Sequence, residues 1–330
     1  MLDAGAELRE TADRVLAGLP AGLSEGGGFS AAAWGEIEAA GLTTALLPEA
    51  AGGFGVAPSD ALSLLVVAGR HGLALPLAET MLAGWVLAQA GIAVPGGVLT
   101  VAELAEVSVG EGSARGVAWD VAWGREAGHL VVLAEGRVAL VSVAGCSVEV
   151  GVNIAGDSRD TLRFDGVAVT GECAVTGDGL RAAGAATRAL LIAGALEAVL
   201  ATTVRYAGER VQFGKPIGRF QAVQQQLAVL AGQVAAAGAA AGLAAERFGE
   251  VLPGAAAKVR AGEAAGLGAA IAHQVHGAIG FTEEHHLHRL TRRLWAWRDE
   301  WGNEAVWSRI LGRHLAAAGP ERLWGELAAL

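Results

Sequence analysis

Apolar residues in the first 94 positions recur every three to four residues, as in LSLLVVAGRHG and ETMLAGWVLAQAG. This spacing places them on one face of a helix, so it predicts amphipathic or buried helices. Between residues 95 and 176 the pattern changes to short β-branched runs separated by glycine, such as LVVLAEGRVALVSVAG and LRFDGVAV, which predict antiparallel strands and turns. From residue 177 to residue 330 the helical spacing returns in long alanine-rich stretches.

The order of helices, strands and helices predicts a mainly α protein with a small β domain. We expect an N-terminal α-helical domain over residues 1–94, a middle antiparallel β domain over residues 95–176 and a C-terminal four-helix bundle over residues 177–330. The alanine-rich helices carry few large side chains and can pack closely on several faces, which favours an oligomer.

One stretch, Thr80–Ala102, runs for 23 residues without a charge and is long enough to span a bilayer. It is interrupted by Gln89, by Pro95 and by the pair Gly96-Gly97, and proline and glycine break helices. We therefore expect a buried helix followed by a turn, and no membrane insertion.

The composition restricts the class of protein further. Hydrophobic residues make up 53% of the 330 positions and charged residues 18%, which excludes intrinsic disorder as the main state. The net charge of −10 and the lack of a basic run argue against a nucleic acid or an anionic membrane surface as the partner. Cys146 and Cys173 cannot form a disulfide framework for a chain of this size, and the first residues are charged, so we expect a cytoplasmic location.

The segment Arg210–Gln221, RVQFGKPIGRFQ, is the most specific stretch of the sequence. It predicts the end of one helix, a turn at Gly214–Pro216 and a new helix that begins at Gln221. Guanidinium and amide donors beside a turn suit a diphosphate group. A helical hairpin with a solvated arginine explains the same residues equally well, so the pattern alone leaves both interpretations open.

Together with the preceding Tyr206-Ala207, this segment is similar to the C-terminal signature of the acyl-CoA dehydrogenase family, which are flavoenzymes that oxidise acyl-CoA thioesters. The stretch Gln274–Thr282, QVHGAIGFT, resembles the glutamine-and-glycine segment of the same family. Further similarities, in chain order, lie at Leu47–Gly55, Pro76–Thr80, Asn153–Asp160, Phe164–Val167, His288-Arg289 and Arg292-Arg293.

The resemblance implies an oligomer that binds FAD between the β domain and the helical bundle. It also implies an acyl-CoA substrate and an electron acceptor such as an electron-transfer flavoprotein. The residues that it assigns to FAD, across a subunit boundary, are Arg210, Gln212, Phe213, Gln221, Gln274, Gly277 and Ala278. Glycine in these segments permits a close backbone approach to an anion, which agrees with the resemblance.

In the family's pattern a loop with Glu-Gly-Thr-x-Glu supplies a carboxylate, which removes the proton α to the thioester carbonyl while the flavin accepts hydride from the β carbon. Alignment of this loop through Glu304 places Glu300 at the catalytic position, with Trp301 replacing the glycine and Gly302 replacing the threonine. Gly302 and Glu304 then join the cofactor contacts. If the register shifts by one, Asp299 is the catalytic base. If Asp299 and Glu300 only begin a helix, neither of them is the base. Such a base needs a dry site and a raised pKa.

Two further positions depart from the family's pattern. An Asp-x-x-Arg pair that meets the substrate in the family falls near Ala182 and Ala185, and Arg188, one helical turn later, could substitute for it. The β domain also lacks a recognisable Thr-Glu-Pro-x-x-Gly-Ser motif that faces the flavin. Trp119 and Trp123 either supply an aromatic wall in its place or belong to the core.

Histidines at positions 273, 276, 285, 286 and 288 raise the question of a metal site. His285 and His288 lie one turn apart, but no cysteine is near them and no HExxH pattern occurs, so we predict no metal.

Two functions remain open at this point. The first is an acyl-CoA dehydrogenase that binds FAD, uses Glu300 as its base and forms a homo-oligomer. The second is a partner subunit in a hetero-oligomeric dehydrogenase, in which a second dehydrogenase-like chain supplies the base.

Overall fold

The computed structural model describes residues 4–20, 28–134, 136–174 and 177–328. The described chain before residue 95 is helical, and its α-helices are α1 (Ala4–Gly18), α2 (Ala31–Ala39), α3 (Pro58–Arg70) and α4 (Leu77–Gln89). The inward faces of α3 and α4 form most of the core in this part, with side chains such as Leu62 and Met81 fully buried.

The middle part of the chain forms a sheet. Its strands are β1 (Leu99–Val101), β2 (Leu104–Gly110), β3 (Ser113–Ala122), β4 (His129–Ala134), β5 (Arg137–Ser142), β6 (Ser147–Glu149) and β7 (Arg159–Ala174). The strands follow the order β1-β4-β5-β7-β3-β2, and β6 pairs with β7. Only β1 and β4 run parallel among these described pairs. The long strand β7 joins the two halves of the sheet because it pairs with β3 near its start and with β5 near its end.

The last part of the chain is helical again. Its elements are α5 (Gly177–Glu209), the short strands β8 (Val211–Gln212) and β9 (Lys215–Pro216), α6 (Gln221–Glu246), α7 (Val251–His276), α8 (Leu287–Asp299), α9 (Glu304–Ala318) and α10 (Leu323–Ala328). Helix α5 lies at the centre, where it packs against α6, α7 and α8 and also against α3. The predicted order of helical, antiparallel β and helical-bundle parts is confirmed. The predicted boundary between residues 176 and 177 touches residues 175–176, which lie outside the described part.

Helices α3 and α5 cross at very short distance because each has a glycine at the crossing. A Cβ atom on Gly69 would lie 2.1 Å from the carbonyl oxygen of Leu191, and one on Gly194 would lie 1.9 Å from that of Val66. No side chain fits in either place, so this pair of glycines fixes the N-terminal helices against the bundle.

The predicted buried helix within Thr80–Ala102 is confirmed. Helix α4 buries most of its residues and ends at Gln89, well before β1 begins at Leu99. Two other described helices, Asp178–Glu209 and Gln221–Glu246, are long and apolar enough to cross a membrane by length and composition alone. The apolar window of the first is 83% buried inside the protein, as in a core helix, whereas that of the second is 28% buried. Helix α6 therefore presents an apolar face at the surface.

Candidate functional site

The predicted FAD contacts around Arg210 lie on an exposed hairpin between α5 and α6. Strands β8 and β9 pair through Gln212 and Lys215, and the two residues between them, Phe213 and Gly214, have φ angles of +50° and +79°. Two consecutive positive φ angles define a type I′ turn, in which a phenylalanine is unusual because its Cβ strains this backbone conformation. Phe213 is nevertheless 93% exposed, so packing within this chain does not explain it.

The other residues of this segment also reach the surface. Arg210, Gln212 and Gln221 are all exposed, and Gln221 is the first residue of α6, as predicted. Backbone pairing holds the segment in shape, because the Ile217 N–H donates to the carbonyl of Arg210 at 2.8 Å. The hairpin thus presents a guanidinium, two amides and an aromatic ring to solvent.

The second predicted segment lies at the end of α7. Gln274, Gly277 and Ala278 are exposed, and Gly277 begins a short 3₁₀ turn with φ +65° and ψ −145°, a conformation essentially restricted to glycine. The side chain of Tyr206 joins this turn to the hairpin region. Its hydroxyl donates to the carbonyl of His276 at 3.2 Å, and the two rings stack with centroids 4.4 Å apart.

Because Tyr206 lies one helical turn before Arg210, both predicted segments meet at the same end of the bundle. Exposed guanidinium and amide donors next to a glycine turn fit a diphosphate, so the residues present are suited to one half of a dinucleotide. Burial lowers the pKa of His276 and His285 behind the turn, which favours their neutral forms.

The predicted base lies in a different environment, inside the protein between the sheet and the bundle. The carboxylate of Glu300 accepts from Arg159 Nη2 at 2.5 Å through Oε1 and from Arg188 Nε at 2.6 Å through Oε2. Arg188 also donates to Glu79 Oε1 at 2.7 Å, and the guanidinium is 3% exposed. These four side chains form a buried cluster of two arginines and two glutamates, which we call the interior ion-pair cluster.

The ion pairs determine the protonation of Glu300. Burial by itself would raise its pKa, but Arg159 and Arg188 outweigh burial and hold the pKa at about 2. The pKa of Glu300 is therefore lowered, whereas a general base that works near neutrality needs a raised one. Both oxygens of Glu300 are engaged by arginines, which is the arrangement of a structural ion pair.

The loop before α9 has a defined backbone. Asn303 is the N-cap of α9, where its side chain accepts from the N–H groups of Ala305 and Val306, and Gly302 has φ +82°. Threonine and asparagine serve the same N-cap role, and a glycine suits the left-handed conformation. This backbone is compatible with a second register, in which Trp301-Gly302-Asn303 lies opposite the Glu-Gly-Thr pattern, beside the predicted one through Glu304.

Trp301 fills the interior next to the ion-pair cluster. It is 5% exposed, and a Cβ on Gly184 would lie 2.2 Å from its ring, so α5 has no side chain at the point of contact. Its N–H donates to Glu103 Oε2 at 2.5 Å, and its carbonyl accepts from Trp307 Nε1 at 2.7 Å. Burial raises the pKa of Glu103. Both hydrogen bonds involve the backbone of Trp301, which is therefore fixed through its N–H and its carbonyl, while the indole packs against Gly184.

A buried lysine stabilises the same loop. Lys258 is fully buried, and its Nζ donates to the carbonyls of Arg298 and Gly302 at 2.6 and 2.8 Å. Burial lowers the pKa of Lys258 to about 8. Neither this lysine nor Glu103 was singled out by the sequence, because a lone charged residue in a helical or β pattern looks solvent-exposed until the fold places it.

Little space remains in this interior region. A cavity lined by Glu103, Arg159, Arg188, Glu300 and Trp301 has a volume of about 20 Å³, and a neighbouring one lined by Glu79, Trp123 and Trp297 has about 20 Å³ as well. Such volumes hold about one water molecule each. A planar ring system or an acyl chain does not fit into these cavities.

The remaining predicted residues have simpler environments. Ala182 and Ala185, near which the family's Asp-x-x-Arg pair falls, are fully buried, and Arg188, the predicted substitute for that pair, belongs to the ion-pair cluster. The carboxylate of Glu304 accepts from Arg298 Nε at 2.5 Å, and the carbonyl of Gly302 accepts from Lys258, which leaves both engaged within the chain.

Asp299 and the two tryptophans whose roles remained open lie in three different environments. Asp299 lies exposed at the end of α8. Trp123 is 4% exposed and packs with Ala74 and Ala122, whereas Trp119 is 36% exposed on the outer side of β3. The tryptophans therefore do not form one wall around a pocket.

Sequence reasoning missed two members of the ion-pair cluster, namely Arg159, which pairs with Glu300, and Glu79, which pairs with Arg188. Arg159 lies in the stretch Asn153–Asp160 and Glu79 in the stretch Pro76–Thr80, and both stretches carried a family similarity without an assigned role. Their positions along the chain contain no signal for an ion pair. The contact exists only because the sheet, α4 and α8 meet at one point.

Comparisons with known proteins agree with this architecture. The model of the acyl-CoA dehydrogenase C-terminal domain matches residues 181–316. Acyl-CoA dehydrogenase IpdE2 of Mycobacterium tuberculosis is 42% identical over 113 residues, which cover 32% of this chain and 35% of that protein. Acyl-CoA dehydrogenase FadE34 of the same organism is 32% identical over 315 residues, which cover 87% of this chain and 42% of that protein. The chain thus spans less than half the length of both relatives.

Solved structures share the whole fold. A chain in the crystal structure of the ChsE4-ChsE5 complex from Mycobacterium tuberculosis superposes with a TM-score of 0.83 and 25% sequence identity. The superposition covers 96% of this chain and 98% of that chain.

Proposed function

Because this chain belongs to the acyl-CoA dehydrogenase family, we propose that it is one subunit of an FAD-dependent acyl-CoA dehydrogenase that contains a second, different dehydrogenase-like chain. The observation that supports this proposal is that a buried tryptophan, Trp301, and not an acid precedes Gly302 and the N-cap Asn303, in a chain whose exposed segments at Arg210 and Gln274 resemble those of the family's FAD site. The ChsE4-ChsE5 complex is named as an assembly of two different chains, which supports the same arrangement for a similar fold.

In this proposal the exposed hairpin and the turn at Gly277 hold the ADP half of FAD. Arg210 and the amides of Gln212, Gln221 and Gln274 supply donors to the diphosphate, and the missing Cβ of Gly277 permits backbone approach. Phe213 extends from its strained turn toward the same ligand or toward the neighbouring subunit that carries it. Side chains this exposed need a second surface to enclose a dinucleotide, so assembly and cofactor binding are coupled.

The second chain supplies what the interior of this chain lacks. When bound, FAD would accept hydride from the β carbon of the acyl-CoA thioester. The α-proton needs a carboxylate with a raised pKa in a dry site, and Glu300 is held at a pKa of about 2 by two arginines. The cavity lined by Glu300 and Trp301 and its neighbour lined by Trp123 and Trp297 hold about 20 Å³ each, so neither accommodates a flavin ring or an acyl chain. In this proposal both groups bind in the pocket of the other chain.

The first experiment separates this proposal from a self-sufficient dehydrogenase. The chain is purified alone in the presence of FAD, desalted and examined by visible absorption, and then acyl-CoA is added anaerobically. We expect a colourless protein, and we expect flavin to co-purify when a second dehydrogenase-like chain with an intact Glu-Gly-Thr loop is co-expressed. Stoichiometric flavin in the chain alone overturns the proposal, and so does a colourless product with every such co-expressed chain.

A variant of the hairpin tests the assigned contacts in the complex. Arg210→Ala is expected to lower the flavin content of the co-purified assembly at least several-fold, because one charge-assisted contact to the diphosphate is lost. Arg309→Ala is the matched control, because Arg309 is exposed on α9 away from both segments. Equal flavin content in the two variants excludes Arg210 from the site.

A further inference from the structure

Five of the eight histidines of the chain lie together where α7 ends and α8 begins. We call them the histidine cluster, and its members are His273, His276, His285, His286 and His288. Three of the rings contact one another, since the centroids of His276 and His285 lie 4.7 Å apart and the stacked rings of His285 and His286 lie 4.8 Å apart. Neighbouring imidazoles at this distance repel each other strongly when both carry a positive charge.

The hydrogen bond of His285 requires a neutral ring. Its Nδ1 accepts from the backbone N–H of Leu287, the first residue of α8, at 3.2 Å. An acceptor nitrogen carries no proton, so protonation of Nδ1 breaks this bond and takes away the partner of an N–H group at the helix end. The new charge also lies at the positive end of the helix dipole, where a cation is unfavourable.

The environment of His276 also favours the neutral ring. Its Nδ1 donates to the carbonyl of Ala272 at 2.7 Å, and its Nε2 has no hydrogen-bond partner among the described residues. The residue is 3% exposed, so a proton on Nε2 creates a buried cation whose new N–H has no acceptor. The two rings in contact, His276 and His285, thus both oppose protonation in the folded chain.

The charged groups around the cluster are mostly cations. Arg205 on α5 acts on His285 and His286, whereas Glu283 is the acid that acts on His288. Burial first, and then the neighbouring basic groups, lower the pKa of all five histidines. The titratable and charged groups that face the cluster are Arg205 and Tyr206 from α5, Glu283 from the loop before α8, and Arg289 and Arg292 from α8.

The turn Gly277–Phe281 packs directly on two of these rings. The hydroxyl of Tyr206 donates to the carbonyl of His276 just before the turn, and the ring of His273 stacks on Phe281 at its end with centroids 4.3 Å apart. A Cβ on Gly280 would lie 2.9 Å from the Cβ of His276 and 3.3 Å from the Nδ1 of His273. Because the turn touches both histidines, a change in their charge acts on it directly.

We propose that the histidine cluster is an acid-sensitive switch that releases the turn Gly277–Phe281 from the helical bundle. Protonation of His285 breaks its bond to Leu287, and protonation of His276 then places two cations in contact, so the two rings separate. The turn, which is attached to His276 through Tyr206 and Gly280, moves with them.

The pH range follows from the direction of the pKa shifts. An unperturbed histidine binds its proton near pH 6.5, whereas the five members of the cluster bind theirs at lower pH in the folded chain. The unfolded or released form therefore binds more protons below about pH 6.5. The closed turn is fully stable above about pH 6.5 and loses stability as the pH falls below that value.

The release of the turn has a consequence for the cofactor. The turn is one of the two segments assigned to FAD, so acidification weakens cofactor binding. This consequence rests on the proposed function, whereas the movement of the turn does not.

The stacked tyrosine provides a probe for this movement, because Tyr206 is the only tyrosine of the chain. The chain is labelled with ring-¹³C tyrosine and titrated by NMR from about pH 7.5 to about pH 5, without cofactor and without a second chain. We expect the ring signals to move from shielded positions on the face of His276 to those of an exposed tyrosine, with a midpoint below about pH 6.5. Far-ultraviolet circular dichroism should stay unchanged over the same range.

Conservative variants test the two rings in contact. Asparagine cannot be protonated, but in His285→Asn its carbonyl oxygen can accept from Leu287, and in His276→Asn its amide can donate to Ala272. We expect His285→Asn to lower the midpoint by at least about one pH unit, and the double variant to show no transition. His314→Asn is the matched control, because His314 is exposed on α9, and it should keep the native midpoint.

Several outcomes overturn the inference. One is a Tyr206 spectrum that does not change down to about pH 5, and another is a native midpoint in His285→Asn. A tyrosine transition that coincides with loss of the circular dichroism signal also overturns it, because the whole chain then unfolds. Circular dichroism at neutral pH checks that each variant folds, and His285→Asn alone decides if His276→Asn does not.

The co-purified assembly separates the switch from the proposed function. Release of flavin at acid pH from the native assembly, but not from the His285→Asn assembly, supports the link between the switch and the cofactor. If no assembly binds flavin, the proposed function fails, and the tyrosine titration of the single chain still decides for or against the switch.

Discussion

Replacement of Glu300 by glutamine distinguishes a structural ion pair from a catalytic base. Glutamine keeps the shape of the side chain but removes the charge that faces Arg159 and Arg188. Both guanidinium groups are nearly buried, at 7% and 3% exposure, so they lose a partner that solvent cannot replace. We therefore expect Glu300→Gln to destabilise the folded chain. If Glu300 were a base, the same change would remove turnover and leave stability almost unaltered.

The magnitude follows from the pKa. The difference between the ordinary glutamate value of 4.5 and about 2 in the folded chain corresponds to ~3 kcal/mol of stability at neutral pH. The side chain is 17% exposed, so solvent screening reduces this figure only slightly. The folded pKa lies below the unfolded one, so the contribution is complete above about pH 5 and is lost as the pH falls toward 2.

Urea unfolding followed by far-ultraviolet circular dichroism measures this contribution. At pH 7 we expect Glu300→Gln to lose ~3 kcal/mol, and at pH 3 the gap to the native chain should narrow to ~1.5 kcal/mol. Asp299→Asn is the control, because this neighbouring acid is exposed and its change should stay within ~0.5 kcal/mol. A Glu300→Gln chain as stable as the control at pH 7 would refute the ion-pair argument.

Two other changes test the packing around the site. Gly194→Ala places a Cβ 1.9 Å from the Val66 carbonyl oxygen, so we expect the free energy of unfolding measured in urea to fall by more than ~1 kcal/mol. Gly238→Ala is the control, because a Cβ at this position meets nothing within 4 Å and should not lower the free energy of unfolding. Lys258→Met leaves two loop carbonyls without their donor and should cost ~1–3 kcal/mol at pH 7. Lys215→Met on the exposed hairpin should not change stability, and a similar effect of both lysine changes would contradict this explanation.

The pattern of apolar residues along the chain was sufficient to predict the architecture. Helical spacing, β-branched runs and glycine breaks are local properties, so the order of helical, β and helical-bundle parts could be predicted without any tertiary contact. The segment Arg210–Gln221 was also predictable, because a helix end, a tight turn and a new helix depend on neighbouring residues only.

The contacts of the interior site could be recognised only from the tertiary structure. Alignment of the family loop through Glu304 predicts Glu300 as the base, and this remains a prediction. In the structure Gly302 has a positive φ and Asn303 caps α9, and these two features support the proposed register in which Trp301 takes the catalytic position. Neither the φ angle nor the cap is visible in a string of letters.

The sequence by itself therefore determined the helical, β and bundle parts and the two exposed segments that suit a dinucleotide, since these depend on short-range patterns of burial and turn chemistry. Only the tertiary structure decided which of the buried charged side chains form ion pairs with one another. Arg159 lies on β7 and Arg188 on α5, and their approach to Glu300 sets its pKa through distances that no local pattern encodes. Glu79 of α4 joins the cluster through its ion pair with Arg188.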